Sequence, residues 1–314
     1  MTTLSNKIDF AVVFRVENAN PNGDPSNENT PRTDFDGYGE VSDVCIKRKI
    51  RNRLTDLINA GELQSSIFVQ SDDYKINGDK YNSLKERAES ELETIEDTQE
   101  CIETICGKWI DVRAFGQVFA FKTKKGGKKA KSKKDNDENK SKDKEESISI
   151  GIRGPVSVQH AFSKEPIDPI DMGITKSVNG EPPKKKKDDE SEENSDGMSS
   201  DRMGTKRFIR KAIYVFYGAM NPQLAEKTGF SDEDAEKIKQ VLPRLFENDE
   251  SSARPAGSME VLKVVWWPHN SKLGQFSSAK VHKSLEIDNA GNIKVNELKD
   301  ASNNKLNFEI IEGY

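Results

Sequence analysis

Hydrophobic residues alternate with smaller or polar ones near the start of the chain. In the stretch KIDFAVVFRVE, apolar side chains occupy every second position from Ile8 to Val16. Successive side chains of a β-strand point to opposite faces, so this period of two predicts a strand with one buried face. The stretches RFIRKAIYVFYGAM and MEVLKVVWW predict two more buried strands, and SISIGIRGPVSVQHAF predicts an extended, β-rich segment.

A period of three to four residues takes over in DVCIKRKIRNRL, from Asp43 to Leu54. It predicts a helix docked on a core, with Asp43 as its N-cap. The apolar stripe of this helix would consist of Ile46, Ile50, Leu54 and Leu57. The stretch SDEDAEKIKQVLPRLFEN predicts a second amphipathic helix, with Ser231 capping Asp234 as in a capping box. An acidic helical zone is expected over residues 80–104, and the stretch DVRAFGQVFAF after it is expected to be a strand.

These elements follow one another as strand, basic helix, strand pair, strand, helix, strand. That order is typical of the β-α-β-β-α-β arrangement of a ferredoxin-like or RNA-recognition-motif sheet. We therefore predict an α+β fold, with a single domain of this kind over residues 1–314 that is lengthened by insertions. A four-stranded sheet with two helices on one face leaves its other face, or its loops, free to meet RNA.

Three irregular stretches interrupt this pattern. Residues 17–42 are crowded with Asn, Pro, Gly and Asp, which favour turns, and a loop of that length is usually functional or disordered. Residues 122–147 are rich in lysine, and residues 167–203 contain the charged stretch NGEPPKKKKDDESEENSDGMSSD. Both charged stretches bury too little apolar surface to offset the entropy of ordering, so we expect mobile, solvated loops there.

The charges give the first indication of a ligand. The formal net charge of the chain is −5, yet five cations crowd the first predicted helix. They are Lys47, Arg48, Lys49, Arg51 and Arg53. No acidic residue is expected to pair with them at a spacing of four, as a purely structural helix face would normally provide. A solvated helix surface remains an alternative, but the missing anions favour the phosphate backbone of a nucleic acid.

The sequence carries no strong motif for catalysis or metal binding. His160, His269 and His282 lie apart without metal-ligand spacing, and KKGGKK lacks the residues of a phosphate-binding loop. We therefore expect no metal and no cofactor. His160 could act as a general acid-base in RNA cleavage or be a satisfied structural histidine. Three aspartates of the long loop could bind a cation or make turns, namely Asp24, Asp34 and Asp36.

The stretch RAFGQVF, from Arg113 to Phe119, partly fits the strand signature of an RNA-recognition motif. Gln117 takes the place of the central stacking aromatic, so a strand with Phe115 and Phe119 in the core fits equally well. No stretch is apolar enough to span a bilayer, no hydrophobic leader opens the chain, and three cysteines form no even framework. We expect a cytoplasmic protein with reduced thiols and no membrane association.

Six separated stretches, taken together, closely resemble the Cas-seven family, and more narrowly the backbone subunits of the type I-C Cascade, a CRISPR surveillance complex. They are NPNGDP (residues 20–25), SDVCIKRKIRN (42–52), DVRAFGQVF (111–119), IRGPVSVQHAFSKEPIDP (152–169), MGITK (172–176) and LAEKTGFSDED (224–234). The resemblance runs in order from near the N-terminus to at least SSARPAGSMEVLKVVWW.

This resemblance implies a hand-shaped protein with an RNA-recognition-motif palm, helical fingers and a β-hairpin thumb. Copies would stack head to tail along a CRISPR guide RNA (crRNA), and the guide would pair with target DNA in antiviral defence. Other Cascade subunits would process the guide and destroy the target, so this chain would not be an enzyme. The expected partners are guide RNA, target DNA through the guide, neighbouring copies of the chain and other Cascade subunits.

The resemblance also implies roles for individual residues. The residues expected to contact RNA phosphates are Lys47, Arg48 and Arg51. Those expected to lie beside the RNA in the long loop are Asn20 and Asn22. Palm positions that face the RNA are matched by Arg113, Gln117, Gln159 and Ser163. The thumb would occupy residues 167–203, and the residues that wedge at a flipped base would be Met172, Ile174 and Thr175.

Two other functions compete with this one. A metal-independent endoribonuclease that processes guide-RNA precursors would need His160 as its acid-base. A generic single-stranded RNA-binding monomer would need only the palm and the basic helix, with neither a thumb nor a contact between copies.

Overall fold

The computed structural model of the chain describes residues 2–92, 97–122, 147–176 and 202–314. The strands in these ranges are β1 (Ile8–Ala19), β2 (Gly23–Asp24), β3 (Thr30–Pro31), β4 (Tyr38–Val41), β5 (Gly116–Lys122), β6 (Ser147–Arg153), β7 (Val156–Val158), β8 (Ala161–Pro166), β9 (Pro169–Lys176), β10 (Arg202–Met220), β11 (Met259–Pro268), β12 (Leu285–Ile287), β13 (Ile293–Val295) and β14 (Glu309–Glu312). The helices are α1 (Asp43–Asn59), α2 (Leu84–Leu92), α3 (Thr98–Lys108), α4 (Ile110–Phe115), α5 (Pro222–Thr228), α6 (Asp232–Val241) and α7 (Ser278–Lys283), with short 3-10 turns at Pro25–Asn27 and Leu242–Arg244.

The largest sheet is antiparallel, with the strand order β14-β11-β1-β10-β8-β4, and β7 and β9 also pair with β10. The first predicted strand, β1, lies between β10 and β11 and is paired with both along most of its length. Along the chain, β1, α1, β8, β10, α6 and β11 follow the predicted order of strands and helices. The prediction of a mixed α+β fold is confirmed, and the structure shows that its main layer is a large antiparallel sheet.

The period of two in β1 places its large side chains on the face that the helices cover. Phe10, Val12 and Phe14 are fully buried and belong to one core cluster with Ile50 of α1 and Ile238 of α6. Burying one such side chain contributes roughly 1.5–3 kcal/mol, so this face accounts for much of the hydrophobic stabilisation. The helical stripe of α1 and the strand pattern of β1 therefore meet in one core, as their periods predict.

A second, smaller core joins α3 and α4 to the two-stranded sheet of β5 and β6. Phe68 packs against Trp109 and Phe119, with ring centroids 4.8 and 5.0 Å apart. Ile150 and Ile152 of β6 complete the cluster. This unit stands apart from the main sheet, because β5 and β6 pair only with each other among the described strands.

The stretch DVRAFGQVFAF is a helix before it is a strand. A strand from Asp111 was predicted, but α4 runs from Ile110 to Phe115 and β5 begins at Gly116. Gly116 has a φ of 79°, and a Cβ at this position would lie 2.3 Å from the carbonyl oxygen of Ile152. Glycine alone tolerates both conditions, so it ends the helix and starts the strand at this residue.

The predicted long loop contains short elements. Within residues 17–42, β2 pairs with β3, and β4 pairs with β8 at the edge of the large sheet. The predicted mobile insertions at residues 122–147 and after Val178 lie outside the described residues, except that β5 ends at residue 122 and β6 begins at residue 147. Within the described ranges, no helix is both long and apolar enough to cross a membrane.

A buried polar cluster fastens β1 to the loop and helix that follow β11. The Asp9 carboxylate is fully buried and accepts from Nε2 of His269 at 2.8 Å and from Nζ of Lys7 at 2.9 Å. The backbone N–H of Gln275 donates to Nδ1 of His269, so the proton of this imidazole lies on Nε2. Burial alone would raise the pKa of Asp9, but its interactions with these groups, His282 and Ser278 outweigh burial and hold the pKa well below its usual range.

Replacing Asp9 with asparagine is expected to lower the free energy of unfolding by roughly 2–3 kcal/mol at neutral pH. Because the folded-state pKa lies below the unfolded value of about 3.9, the carboxylate stabilises the fold above that value. This contribution is lost as the pH falls through the folded-state pKa. Urea unfolding of both proteins at neutral pH and at about pH 3 should therefore show the difference shrinking in acid. A difference independent of pH would mean that Asp9 acts through packing alone.

Candidate nucleic-acid interface

The N-terminus of α1 is fixed by the long loop that precedes it. Ser42, rather than the predicted Asp43, is the N-cap, and its hydroxyl accepts from the backbone N–H of Cys45. Both the backbone N–H and the hydroxyl of Ser42 donate to Oδ1 of Asn22 at 3.0 Å. Asn22 thus orients the start of the basic helix, while Asp43, as the first helical residue, places a negative charge at the positive end of the helix dipole.

Every cation of α1 has a carboxylate partner, which contradicts the expectation that they lack one. The pairs are Lys47 with Asp43, Arg48 with Asp73, Lys49 with Asp249, Arg51 with Asp111 and Arg53 with Asp56. Asp43 and Asp56 lie four and three residues away on the same helix, so the sequence contained these two partners. The other three come from segments distant along the chain, which helical spacing cannot reveal.

Burial separates these cations into anchors and surface groups. Lys49 and Arg53 are buried, and burial lowers the pKa of Lys49. Arg51 is largely enclosed, with its Nε 2.9 Å from Oδ2 of Asp111 and its guanidinium over the ring of Phe115. Only Arg48, whose side chain is 56% exposed, presents most of its surface to solvent. The main role of the α1 cations is therefore to hold this helix to its neighbours, and Arg48 is the one most accessible to a ligand.

Other residues expected beside the RNA are also built into the fold. Asn20 is buried, and its side-chain amide donates to the carbonyl oxygen of Asn29 at 2.6 Å. Ser163 is buried in β8, where its hydroxyl accepts from the backbone N–H of Gly39 and donates to the carbonyl oxygen of Glu165. These contacts position the long loop against the sheet.

The four positions expected to share a palm surface lie on different elements. Arg113 is on α4 rather than on a strand, and its Nε and Nη2 donate to the two carboxylate oxygens of Asp234 in α6, at 2.8 and 2.7 Å. Asp234 also closes the predicted capping box with Ser231. Gln117 lies on β5 in the smaller sheet, whereas Gln159 is exposed between β7 and β8. Arg113 and Gln117 therefore lie on different elements, and Gln159 lies in the connection between two others.

The hairpin formed by β9 and the first half of β10 presents apolar side chains to solvent. Met172 and Ile174 are both exposed, and they share one face of the hairpin because they are two residues apart on β9. Lys206 lies directly opposite Met172 and therefore shares that face. Thr175, which the family resemblance groups with Met172 and Ile174, lies on the other face, opposite Met203, which is 84% exposed.

A row of cations on β10 is the feature that sequence reasoning missed. Within the described part of the chain, no carboxylate pairs with Lys206, Arg210 or Lys211. Arg207, by contrast, binds Asp171 across the hairpin and Glu28 in the long loop. The signal was present in the stretch KRFIRK, but its apolar continuation favoured the interpretation of a buried strand. Unpaired cations near exposed apolar side chains suit a strand of nucleic acid, which offers phosphates and bases.

His160 is held between two carboxylates. Its Nδ1 contacts Oε1 of Glu40 in β4, and its Nε2 lies 3.2 Å from Oδ1 of Asp43 in α1. Partial burial acts to raise the pKa of Asp43, but Lys47 and His160 outweigh it and lower that pKa. Both ring nitrogens of His160 are therefore engaged in linking the sheet edge to α1. This arrangement favours the structural interpretation of His160 over the catalytic one.

The loop aspartates make turns. Oδ1 of Asp24 accepts from the backbone N–H of Ser26, and Oδ1 of Asp34 accepts from those of Asp36 and Tyr38. Among the residues that the structure describes, no group of three or more His, Cys, Asp or Glu side chains could hold a metal ion.

An antiparallel sheet packed against helices, with a hairpin that carries exposed apolar and unpaired basic side chains, has features of a protein that binds a nucleic-acid strand. Residues 6–309 match the family model described as "CRISPR-associated protein Cas7". The chain therefore belongs to the Cas7 (Cas-seven) family. It is 26% identical over 272 residues to a CRISPR-associated protein Cas7 of Haloferax volcanii, covering 84% of this chain and 71% of that protein.

Two solved structures show a more distant similarity. One is a chain of a "CRISPR RNA-guided surveillance complex, pre-nicking", with a TM-score of 0.44 and 14% identity over 83% of this chain and 78% of that chain. The other is a chain of a "CRISPR RNA-guided surveillance complex", with a TM-score of 0.38 and 16% identity over 83% and 69%. Overlaps at this level do not bear on individual residues.

Proposed function

We propose that this chain is a non-catalytic backbone subunit of a CRISPR surveillance complex, the type I-C Cascade, in which it binds guide RNA. The observation that carries this proposal is its membership of the Cas7 family, matched over residues 6–309. Copies stack head to tail along the guide in the cytoplasm, and the guide pairs with target DNA. Other Cascade subunits complete the particle.

The large sheet supplies the palm. Four neighbouring strands of this sheet lie in the order β11, β1, β10, β8. In chain order they are the fourth, first, third and second strands of a β-α-β-β-α-β unit. Helices α1 and α6 then take the two helical positions, and both contribute to the same core cluster on one face of the sheet. This arrangement supports an RNA-recognition-motif palm, with helices α2 to α4 in the position of the fingers.

The hairpin of β9 and β10 supplies the thumb. Met172 and Ile174 form an apolar edge that can enter a base stack, and Lys206 on the same face can bind an adjacent phosphate. Arg207 binds Glu28 of the long loop, so the thumb is held against that loop at the base of the hairpin. Thr175 and Met203 lie on the opposite face of the hairpin, where they can contact a neighbouring nucleotide or a neighbouring copy of the chain.

The proposed RNA path runs along cations of α1 and β10 that reach the surface. Arg48 and Lys47 at the start of α1, together with Lys206 and Arg210 of β10, provide charge for phosphates. Arg51, Asn20, Asn22 and Ser163 hold the loop and helix that border this path. Arg113 is held by Asp234, and Gln117 and Gln159 are further candidates for RNA contact.

The proposal can be tested by co-expressing the chain with its other Cascade subunits and a repeat-spacer RNA. A high-mass particle with several copies of this chain on one intact guide is expected from native mass spectrometry. His160→Ala is expected to leave the length of the RNA unchanged, because His160 is held between Glu40 and Asp43. One copy per RNA would favour the monomeric RNA-binding protein, and a guide left unprocessed only in the His160 variant would favour the endoribonuclease.

A further inference from the structure

A cavity of about 230 Å³ lies between the long loop and the start of the hairpin formed by β9 and β10. Its polar lining includes Asp24, Thr30, Arg32, Thr33 and Glu40. Pro169, the first residue of β9, also lines the cavity and lies on the same face of that strand as Thr175. A nucleic-acid strand that contacts this face of the hairpin can therefore reach the cavity.

Backbone hydrogen bonds hold the walls of this cavity in place. The backbone N–H of Arg32 donates to the carbonyl oxygen of Asn22 at 3.1 Å, and that of Glu40 donates to the carbonyl oxygen of Arg32 at 2.9 Å. Thr33 and Gly39 form a β-bridge beside them. A ligand would therefore enter a cavity that is already formed, and little of its affinity would be lost in ordering the loop.

One hydrogen-bond donor in the lining has no partner. Nε of Arg32 is buried and makes no hydrogen bond within the described residues. Nη2 of the same side chain lies 3.5 Å from Oδ1 of Asp24, which leaves the guanidinium only loosely paired. Because a buried donor without an acceptor destabilises a fold, a group of this kind suits a ligand that supplies the acceptor.

Two acceptors accompany this donor. Oδ1 of Asp24 accepts from the backbone N–H of Ser26, and Oε1 of Glu40 contacts Nδ1 of His160. The second oxygen of each carboxylate has no hydrogen-bond partner in the part of the chain that the structure describes. Two carboxylates beside one guanidinium would repel a phosphate. The complementary ligand is therefore a neutral group that both accepts and donates hydrogen bonds.

We propose that this cavity binds a ribose of the guide RNA and recognises its 2′-hydroxyl, which accepts from Nε of Arg32 and donates to Oδ2 of Asp24. A hydroxyl both donates and accepts, and the 2′-hydroxyl is the group by which a protein distinguishes RNA from DNA. A base is a less suitable occupant, because a guide that pairs with target DNA must keep its bases available. The inference rests on the proposed function, since it assigns one part of the contact with guide RNA.

The test compares labelled oligouridylate with oligodeoxyuridylate of equal length by fluorescence anisotropy with the full chain. Wild type is expected to prefer RNA by about tenfold or more, as one hydrogen bond to a charged group provides. Arg32→Lys keeps the positive charge but removes the Nε donor, so it is expected to lose most of this preference through weaker RNA binding. Arg48→Lys makes the same exchange at an exposed arginine and should leave the ratio of the two affinities unchanged.

A change in the ligand provides a second test that needs no variant. Oligouridylate with 2′-fluoro sugars keeps the sugar pucker of RNA but has no 2′ proton to donate, so wild type is expected to bind it about as weakly as DNA. Binding as tight as that of RNA would overturn the inference, because the sugar shape and not the hydroxyl would then be recognised.

The remaining outcomes separate this inference from the proposed function. Equal affinity of wild type for RNA and DNA would overturn the inference and leave RNA binding intact. An RNA preference that survives Arg32→Lys would also overturn it, as would an equal loss of preference in Arg48→Lys. If wild type binds neither oligonucleotide, the proposed function fails and the inference fails with it.

Discussion

Replacing Asp111 with alanine is expected to lower the free energy of unfolding by about 3–5 kcal/mol. Asp111 is fully buried and accepts three hydrogen bonds, from the backbone N–H groups of Phe68 at 2.7 Å and Val69 at 3.1 Å and from Nε of Arg51 at 2.9 Å. Alanine would leave a largely enclosed guanidinium without its partner and two backbone donors unsatisfied. Urea unfolding followed by circular dichroism measures the loss from the shift in midpoint.

Asp73 provides the matched control. It also pairs with a cation of α1, since its carboxylate lies 3.3 Å from Arg48, but its side chain is 77% exposed. Water competes for such a pair, so Asp73→Ala is expected to change the free energy of unfolding by less than about 1 kcal/mol. Equal losses in the free energy of unfolding in the two variants would show that a buried partner of an α1 cation stabilises the fold no more than an exposed one.

Reversing the charge of two cations on β10, with Lys206→Glu and Arg210→Glu together, is expected to weaken binding of single-stranded RNA by about tenfold for each charge-assisted hydrogen bond that is removed. Neither side chain pairs with a carboxylate in the described residues, so their primary role is not to hold the fold together. The dependence of affinity on salt should flatten by about 0.7 for each phosphate that is no longer bound. Fluorescence anisotropy of labelled polyuridylate at several salt concentrations gives both quantities.

The control is Lys227→Glu with Lys237→Glu, which makes the same change in net charge on α5 and α6, beyond the far end of β10. This variant should bind nearly as well as wild type. If both pairs weaken binding to the same extent, only the total charge matters and β10 has no special role. The pair Lys47→Glu with Arg51→Glu is a poorer test, because a glutamate at position 51 would face the buried Asp111 carboxylate and disturb the fold.

The main architecture could be predicted because it depends on local patterns. The alternation in β1, the stripe of α1 and the capping box of Ser231 and Asp234 each need only a few neighbouring residues to define them. The strand predicted from Asp111 was wrong in its first half, because the turn at Gly116 and the packing of Trp109 against Phe68 give residues 110–115 a helical conformation. That outcome depends on contacts with another segment, which local periodicity does not contain.

The candidate site could be predicted only in part. A basic helix was correctly located, but its cations were interpreted as unpaired, and all five have carboxylate partners. Asp73, Asp111 and Asp249 reach α1 only after the chain has folded. The cations of β10 were missed because the apolar residues that follow them predicted a buried strand. Only the hairpin with β9 places Lys206 on the same face as the exposed Met172.

The sequence by itself determined the family, the order of strands and helices, and which faces of β1 and α1 are apolar, because these are properties of spacing and residue type. Tertiary structure alone decided which charges remain available to a ligand. A charge is neutralised by whatever lies within a few ångströms of it, and those neighbours come from anywhere in the chain. Arg51 and Lys206 are equally basic in the sequence, yet folding buries the first against Asp111 and leaves the second on a surface without an acidic partner in the described residues.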